Sequence, residues 1–291
     1  MRVAVVDKKD ISIKVERSAV KFTGETLPFG LMDMLVINHR VALGSRDILK
    51  LNEANISLLI VSHNNTNLSL LNSAKTKNGA LKMAQYHALS KRLEIAKYFI
   101  SQKLTSHTEH LGYVEKRLPL AKALDDVEQA QSLESLLGIE GTFAREYFKG
   151  YFSLFPKEFR VTKRTKNPPK DPVNALMSFW YSLYYNIITV KLVGMGFEPA
   201  IGFLHQPFRE HNALSSDLIE LFRAEINHTI LAIFKNKLLE KSDFSHNRGG
   251  VYLTFEGRKK VWKEFVGLVD VLNPKLNREI ANLRAMIEER S

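Results

Sequence analysis

The chain has 291 residues, 45% hydrophobic and 25% charged, a globular composition with material for a sizeable core. Lysine and arginine outnumber aspartate and glutamate 42 to 31, and the net charge of +11 favours a polyanionic partner through long-range attraction and counterion release. There is no cysteine, so disulfides, thiolate zinc sites and a cysteine nucleophile are excluded.

The first 75 residues read as strands. Residues 3–6, 11–15 and 20–23 are short runs rich in β-branched side chains, with charged turns at 7–10 and 16–18. Ile11, Ile13 and Val15 alternate with polar residues, as a half-buried strand requires. The charge that follows Val6 comes too soon for a secretory hydrophobic segment, and the lack of cysteine fits a reducing interior; a cytoplasmic location is the expectation. Pro28, Phe29 and Gly30 punctuate the chain. Residues 35–37, 41–43 and 56–61 read as further strands, 45–52 as a short helix with Ser45 in the N-cap position, and 64–67 as a turn. This stretch carries no catalytic-looking cluster, so a scaffold or dimerisation module over 1–75 is expected.

From Gly79 the hydrophobic period becomes helical, and residues 76–291 are read as a larger helical domain. A helical stretch over 124–155 contains Glu140. A basic, proline-bearing loop follows with Lys157, Arg160, Lys163, Arg164, Lys166 and Lys170. Asp171-Pro172 signals a helix start, aspartate capping and proline in the first turn. The helix it opens is uncharged over 174–190; its Asn, Ser and Tyr residues would need partners in lipid, so a buried core helix is expected and no membrane contact. Gly194 and Gly196 end it. A further helix is expected from Ser215 or Ser216 to about Leu239, then a turn at 247–250 holding Arg248, a short extended piece at 251–255, and a charged helix over 258–289.

The chemistry concentrates between Ile201 and Ile226. Asp217 and Glu220 stand three apart, hence on one helical face, and His205 lies upstream in an apolar segment that ends at Pro207. An imidazole and two carboxylates brought together can hold a divalent cation and leave positions for water and phosphate. First-turn capping by the helix dipole is the competing account, good for Asp217 and poorer for Glu220. Glu140 falls on a stripe with Leu136, Leu137, Phe143, Ala144 and Tyr147, so its charge should face the interior and need a counter-ion. That counter-ion is a metal or, in the plainer reading, Arg145 or Arg160. Arg223 is either a salt-bridge partner of Glu220 or a phosphate contact. The basic loop is either a solvated connection or a phosphate track; Tyr151, Phe155 and Phe159 interleave with it, in the manner of nucleic-acid surfaces. No Gly-rich nucleotide loop, serine nucleophile elbow or zinc-protease helix is present.

Several segments together carry a family resemblance: LLGIEGTFAREYF around Glu140, PPKDPVNALMSFWY from Pro168, GFEPAIGFLH ending at His205, LSSDLIELFR from Leu214, and VYLTFEGRKK from Val251. In that combination and order the chain resembles the integrase subunit of CRISPR adaptation, the CRISPR-associated nuclease of spacer-acquiring systems. The resemblance implies an α+β fold, a small N-terminal β-sandwich followed by an all-α catalytic domain. It implies that Glu140, His205 and Glu220 hold Mg2+ or Mn2+ with Asp217 as an additional catalytic acid. It further implies a homodimer, a small ferredoxin-like partner protein, and double-stranded DNA, prespacer and repeat array, as substrate. Ser215 and Ser216 depart from the small apolar residues expected before Asp217. Arg160, Lys163, Arg164, Lys166, Arg223 and Arg248 are the candidate DNA contacts. The reaction so implied is attack of a DNA 3′-hydroxyl on a phosphodiester, or hydrolysis when water takes its place. The alternatives are a metal-dependent endonuclease acting on branched DNA in repair, and a non-catalytic basic scaffold whose acids serve as helix caps and salt bridges.

Overall fold

A computed structural model describes residues 1–61, 68–72, 78–112, 118–206 and 211–289; the expected turn at 64–67 and Pro207 lie outside them. The chain divides into two compact units, Met1–Lys75 with Leu239–Asn273, and Thr76–Leu238 with Pro274–Ser291.

The first unit holds two four-stranded sheets. One is ordered β1 (Val3–Val6), β5 (Met34–Ile37), β7 (Ser57–Val61), β8 (Leu68–Leu71), parallel except for the last pair. The other is ordered β4 (Glu25–Pro28), β3 (Ala19–Phe22), β2 (Ile11–Val15), β6 (Val41–Leu43), antiparallel except for β2 with β6. Their inner faces share one core: Val6, Leu35, Ile37 and Leu58 from the first sheet meet Ile13, Val15, Val20 and Phe22 from the second. Alternation along β2 works as read, with Ile13 and Val15 inside and Ser12 and Lys14 outside. Two strands escaped the pattern. β4 ends in Pro28 and is an edge strand, the place where a residue without N–H is tolerated; β8 is the opposite kind of omission, a short edge strand with no alternation. Helix α1 (Ser45–Glu53) begins one residue after Gly44, which takes the cap position expected for Ser45. Its Asp47 and Lys50 bind the N–H and C=O of Val15, at 2.8 and 2.6 Å. The hairpin β9 (Phe244–Asn247) and β10 (Gly250–Leu253) turns through Arg248 and Gly249, both at positive φ, which matches the right-handed twist of a two-residue hairpin.

In the second unit α2 (Gly79–His87) passes through a 3-10 turn into α3 (Arg92–Gly112). The single helix expected over 124–155 is two, α4 (Leu120–Gln129) and α5 (Leu133–Phe152), because Ser132 leaves the helix and caps the next one through Ser135 N–H at 3.1 Å. Asp171 caps α6 (Pro172–Met195) as expected, accepting from Asn174 N–H at 2.8 Å, and Gly196 closes it at φ 94°. α6 contains the uncharged segment, and most of its length is buried in protein. Among the described residues no helix is long and apolar enough to cross a membrane. The helix expected from 215 to 239 is α7 (Ala213–Ile219), a 3-10 turn at Glu220–Phe222, and α8 (Arg223–Lys235). The last helix, α9 (Phe255–Glu288), contains Pro274, where the division between the units falls.

Neutral hydrogen bonds join four of these helices. Asn227 of α8 accepts from the Tyr181 hydroxyl of α6 at 2.5 Å, donates to the Tyr147 hydroxyl of α5 at 2.9 Å, and takes the Tyr151 hydroxyl on its carbonyl at 2.8 Å. Tyr147 in turn lies 2.7 Å from Nδ1 of His110 on α3. Burial disfavours the charged form of His110, so this contact joins two neutral groups. All these side chains are buried, and a fully satisfied buried network fixes helix register where apolar packing alone allows sliding.

Candidate metal and nucleic-acid site

Glu140 projects from the middle of α5 and Glu220 from the 3-10 turn between α7 and α8. Both carboxylates meet the ammonium of Lys103 on α3; the contact to Glu220 Oε2 is 2.5 Å. Glu140 therefore has a counter-ion, but it is neither Arg145 nor Arg160. Lys103 was not visible as a site residue, yet it left a signal. It sits on the buried stripe of α3 with Phe99, Ile100, Leu104, His107 and Leu111, a position where a lysine needs an internal anion. Glu220 is buried, and its other oxygen binds Arg223 Nη2 at 2.8 Å. Burial alone would raise the Glu220 carboxyl; Arg223 first and Lys103 next overcome it and hold the group down at about 2. Glu220 Oε2 meets the Lys103 ammonium without hydrogen-bond alignment and has no other hydrogen-bond partner among the described residues.

Asp217, expected as an additional catalytic acid, binds backbone amides and the ring of His205. It is fully buried, and its two oxygens accept the backbone N–H groups of Phe203, Leu204 and His205 at 2.6, 3.1 and 2.8 Å. Oδ1 also lies 2.8 Å from Nδ1 of His205. Arg92 binds the carbonyls of Phe203 and His205, at 2.7 and 3.3 Å. The His205 backbone is thus clamped between an anion on its amides and a cation on its carbonyls, and its ring is held by the bond that orients metal-binding histidines, leaving Nε2 for a ligand. Gly202 makes this possible: a Cβ there would stand 2.8 Å from the backbone of Ala213 and 2.9 Å from Asp217 Oδ2. The two serines that departed from expectation are buried with partners, Ser215 against Thr189 at 2.8 Å and Ser216 against His211 at 2.9 Å.

Glu140 and Glu220 are brought together, and His205 is close enough to Glu220 to act on its charge. The three do not close around one point: among the described residues no group of three or more His, Asp or Glu is arranged to hold a metal ion. The donor chemistry nevertheless fits Mg2+ or Mn2+, two carboxylates with one imidazole, and the unaligned oxygen of Glu220 fits it too.

The candidate DNA contacts separate into classes. Arg160, Lys163, Lys166 and Arg248 are exposed. Arg164 is half-buried and its guanidinium binds inward, to Asn174 Oδ1 at 2.9 Å, Ser178 Oγ at 3.1 Å and the carbonyl of Thr165, so it fastens the basic loop to α6. Arg164 and Arg223 both lie over the Tyr181 ring, at 5.7 and 4.8 Å, which brings the basic loop alongside Glu220. Arg223 is a salt-bridge partner of Glu220, the first of the two roles open to it.

A family model described as "CRISPR associated protein Cas1" matches residues 3–266. A relative from Thermodesulfovibrio yellowstonii named CRISPR-associated endonuclease Cas1 1 is 33% identical over 284 residues, covering 90% of this chain and 89% of its own. A CAS1 protein from Thermotoga maritima superposes with a TM-score of 0.90 at 22% identity, covering 100% of this chain and 98% of that one. A casposase bound to integration product superposes with a TM-score of 0.81 at 22% identity, over 92% of this chain and 83% of that one. Sequence and fold agree along nearly the whole length, and the chain belongs to the Cas1 family of CRISPR-associated proteins.

Proposed function

We propose that this chain is a divalent-metal-dependent DNA integrase and endonuclease that inserts foreign DNA fragments into a CRISPR array. The observation that carries the reading is a pair of carboxylates from separate elements, Glu140 and Glu220, sharing one cation beside a histidine fixed by Asp217. Family membership and the likeness of fold to a casposase bound to integration product support it.

In this reading Glu140, His205 and Glu220 hold Mg2+ or Mn2+, which would polarise the phosphoryl oxygen and stabilise charge on the attacking and leaving oxygens. Asp217 orients the His205 ring through Nδ1 and leaves Nε2 for the metal. Arg223 restrains the Glu220 carboxylate from the other side and supplies fixed positive charge near the phosphoryl group. Lys163, Lys166 and Arg160 follow the phosphate backbone, while Arg164 keeps their loop in place. A DNA 3′-hydroxyl attacks phosphorus, one P–O bond forms as another breaks, and the displaced strand leaves as a 3′-hydroxyl. One phosphodiester replaces another, so no external energy source is required; water in place of the hydroxyl gives cleavage. Family membership is likewise what supports a homodimer and a small ferredoxin-like partner.

Glu140→Ala and His205→Ala are expected to abolish strand transfer and cleavage while leaving metal-free DNA affinity, measured by filter binding in EDTA, close to wild type. A variant that still integrated a labelled prespacer at the wild-type rate would remove its residue from the site.

A further inference from the structure

Lys103 stands where the two acidic ligands converge. Its ammonium is almost wholly enclosed, with a side-chain exposure of 7%, and bridges Glu140 and Glu220, whose side chains are 20% and 5% exposed. The four charged groups in this cluster, Lys103, Arg223, Glu140 and Glu220, sum to zero. That balance is what a mostly buried site needs when no other cation is bound, because an unpaired carboxylate at the position of Glu220 would carry the full cost of desolvation. A dication added to the cluster changes the sum to plus two. Two neighbouring like charges repel strongly at such separations, so the dication and the ammonium cannot both sit between the carboxylates. Of the two monocations, Lys103 is the one free to go. Its charge rides on a flexible four-carbon stem. Arg223, by contrast, is packed over Tyr181 and bound to the other oxygen of Glu220. The exit is on the Glu140 side, the more open of the two carboxylates.

We propose that Lys103 is a built-in monocation that exchanges with the divalent metal: it neutralises Glu140 and Glu220 in the metal-free protein and is released toward a DNA phosphate when the metal binds. The inference rests on the metal reading given above. It makes metal loading and DNA binding mutually dependent. Without DNA the displaced ammonium and the new dication leave an excess of plus two, and a phosphodiester paired with Lys103 reduces it to plus one. By linkage, DNA must then tighten metal binding by the same factor that metal tightens DNA binding. Lys103 is accordingly a positioning residue for the metal ligands and a counter-charge for substrate.

The test is calorimetric titration of Mn2+ into the full chain, with and without a blunt DNA duplex, for wild type, Lys103→Met and Lys103→Arg. Without DNA, Lys103→Met should bind Mn2+ about tenfold tighter than wild type or more, and Lys103→Arg no tighter. DNA should tighten Mn2+ binding markedly in wild type and much less in Lys103→Met. The Met variant should also melt lower than wild type in EDTA and recover in Mn2+. Equal or weaker Mn2+ affinity in Lys103→Met, with wild-type binding still lost in Glu220→Gln, would overturn the exchange and leave the metal reading standing. No Mn2+ binding by wild type or Lys103→Met would overturn both. Should the Met variant fail to fold, crystals of wild type grown with Mn2+ decide: a bound ion with Lys103 Nζ still against Glu220 Oε2 overturns the proposal, and a broken contact supports it.

Discussion

Asp217→Asn is a one-atom change with a large expected cost. The carboxylate accepts three backbone N–H groups and faces Nδ1 of His205, with two of these donors on Oδ2 and two on Oδ1. If Oδ2 becomes the amide NH2, that nitrogen points a donor at the N–H groups of Phe203 and Leu204; if Oδ1 does, it points at the N–H of His205, and the fully buried side chain cannot turn to water. Hydrogen bonds to a charged group contribute about 1.5–3 kcal/mol each, and stranding their donors costs a similar amount, so a loss of about 3–5 kcal/mol is expected. Urea denaturation followed by circular dichroism measures it, as a shift in midpoint at unchanged slope. The same variant should lose about 10–100-fold in Mn2+ affinity, because His205 loses the partner that orients it. Asp217→Asn within about 1 kcal/mol of wild type would refute the clamp, since no arrangement of an amide preserves these four contacts.

Other outcomes follow from the same geometry. Gly202→Ala should destabilise by about 1–3 kcal/mol and weaken Mn2+ binding, because the added methyl meets Ala213 and Asp217 at under 3.0 Å; the same denaturation and titration read it. Arg164→Ala should lower thermal stability as well as DNA affinity, whereas Lys163→Ala, on the exposed side of the loop, should weaken DNA binding alone and reduce its salt dependence. Burial, with a smaller push from His228, lowers His110 to about 4. Its folded value is below its unfolded one, so its contribution is complete above about pH 6.5 and is lost as pH falls toward 4, by up to about 3 kcal/mol. Stability of wild type should therefore drop more steeply than that of His110→Gln between pH 7 and 4.5; parallel curves would show that His110 is not held neutral.

Much of the architecture was legible because local chemistry and burial agreed. Asp171 and Pro172 announced α6, and the alternation of Ile13 and Val15 announced β2. The site was legible only in part. Glu140, His205 and Glu220 stand out as charges in apolar company, but which partner each finds depends on helices remote in sequence, and Lys103 lies 37 residues from Glu140. The tightening at Glu220–Phe222 was hidden because the apolar spacing of a helix continues through it. Asp217 and Glu220, three residues apart, meet different partners: one holds backbone, the other meets cations. Arg164 belonged by composition to the exposed basic loop, and only the position of Asn174 and Ser178 on α6 reveals it as the loop's fastening.

The junction of tyrosines and histidine around Asn227 contains no ionised member, although Arg223 of the charged cluster lies over its Tyr181 ring. Electrolyte screens ions and leaves uncharged donors and acceptors nearly untouched. Raising ionic strength should therefore strip nucleic acid from this protein long before it loosens the helices joined at Asn227, so that a brine wash returns the protein empty of nucleic acid with those helices still in register.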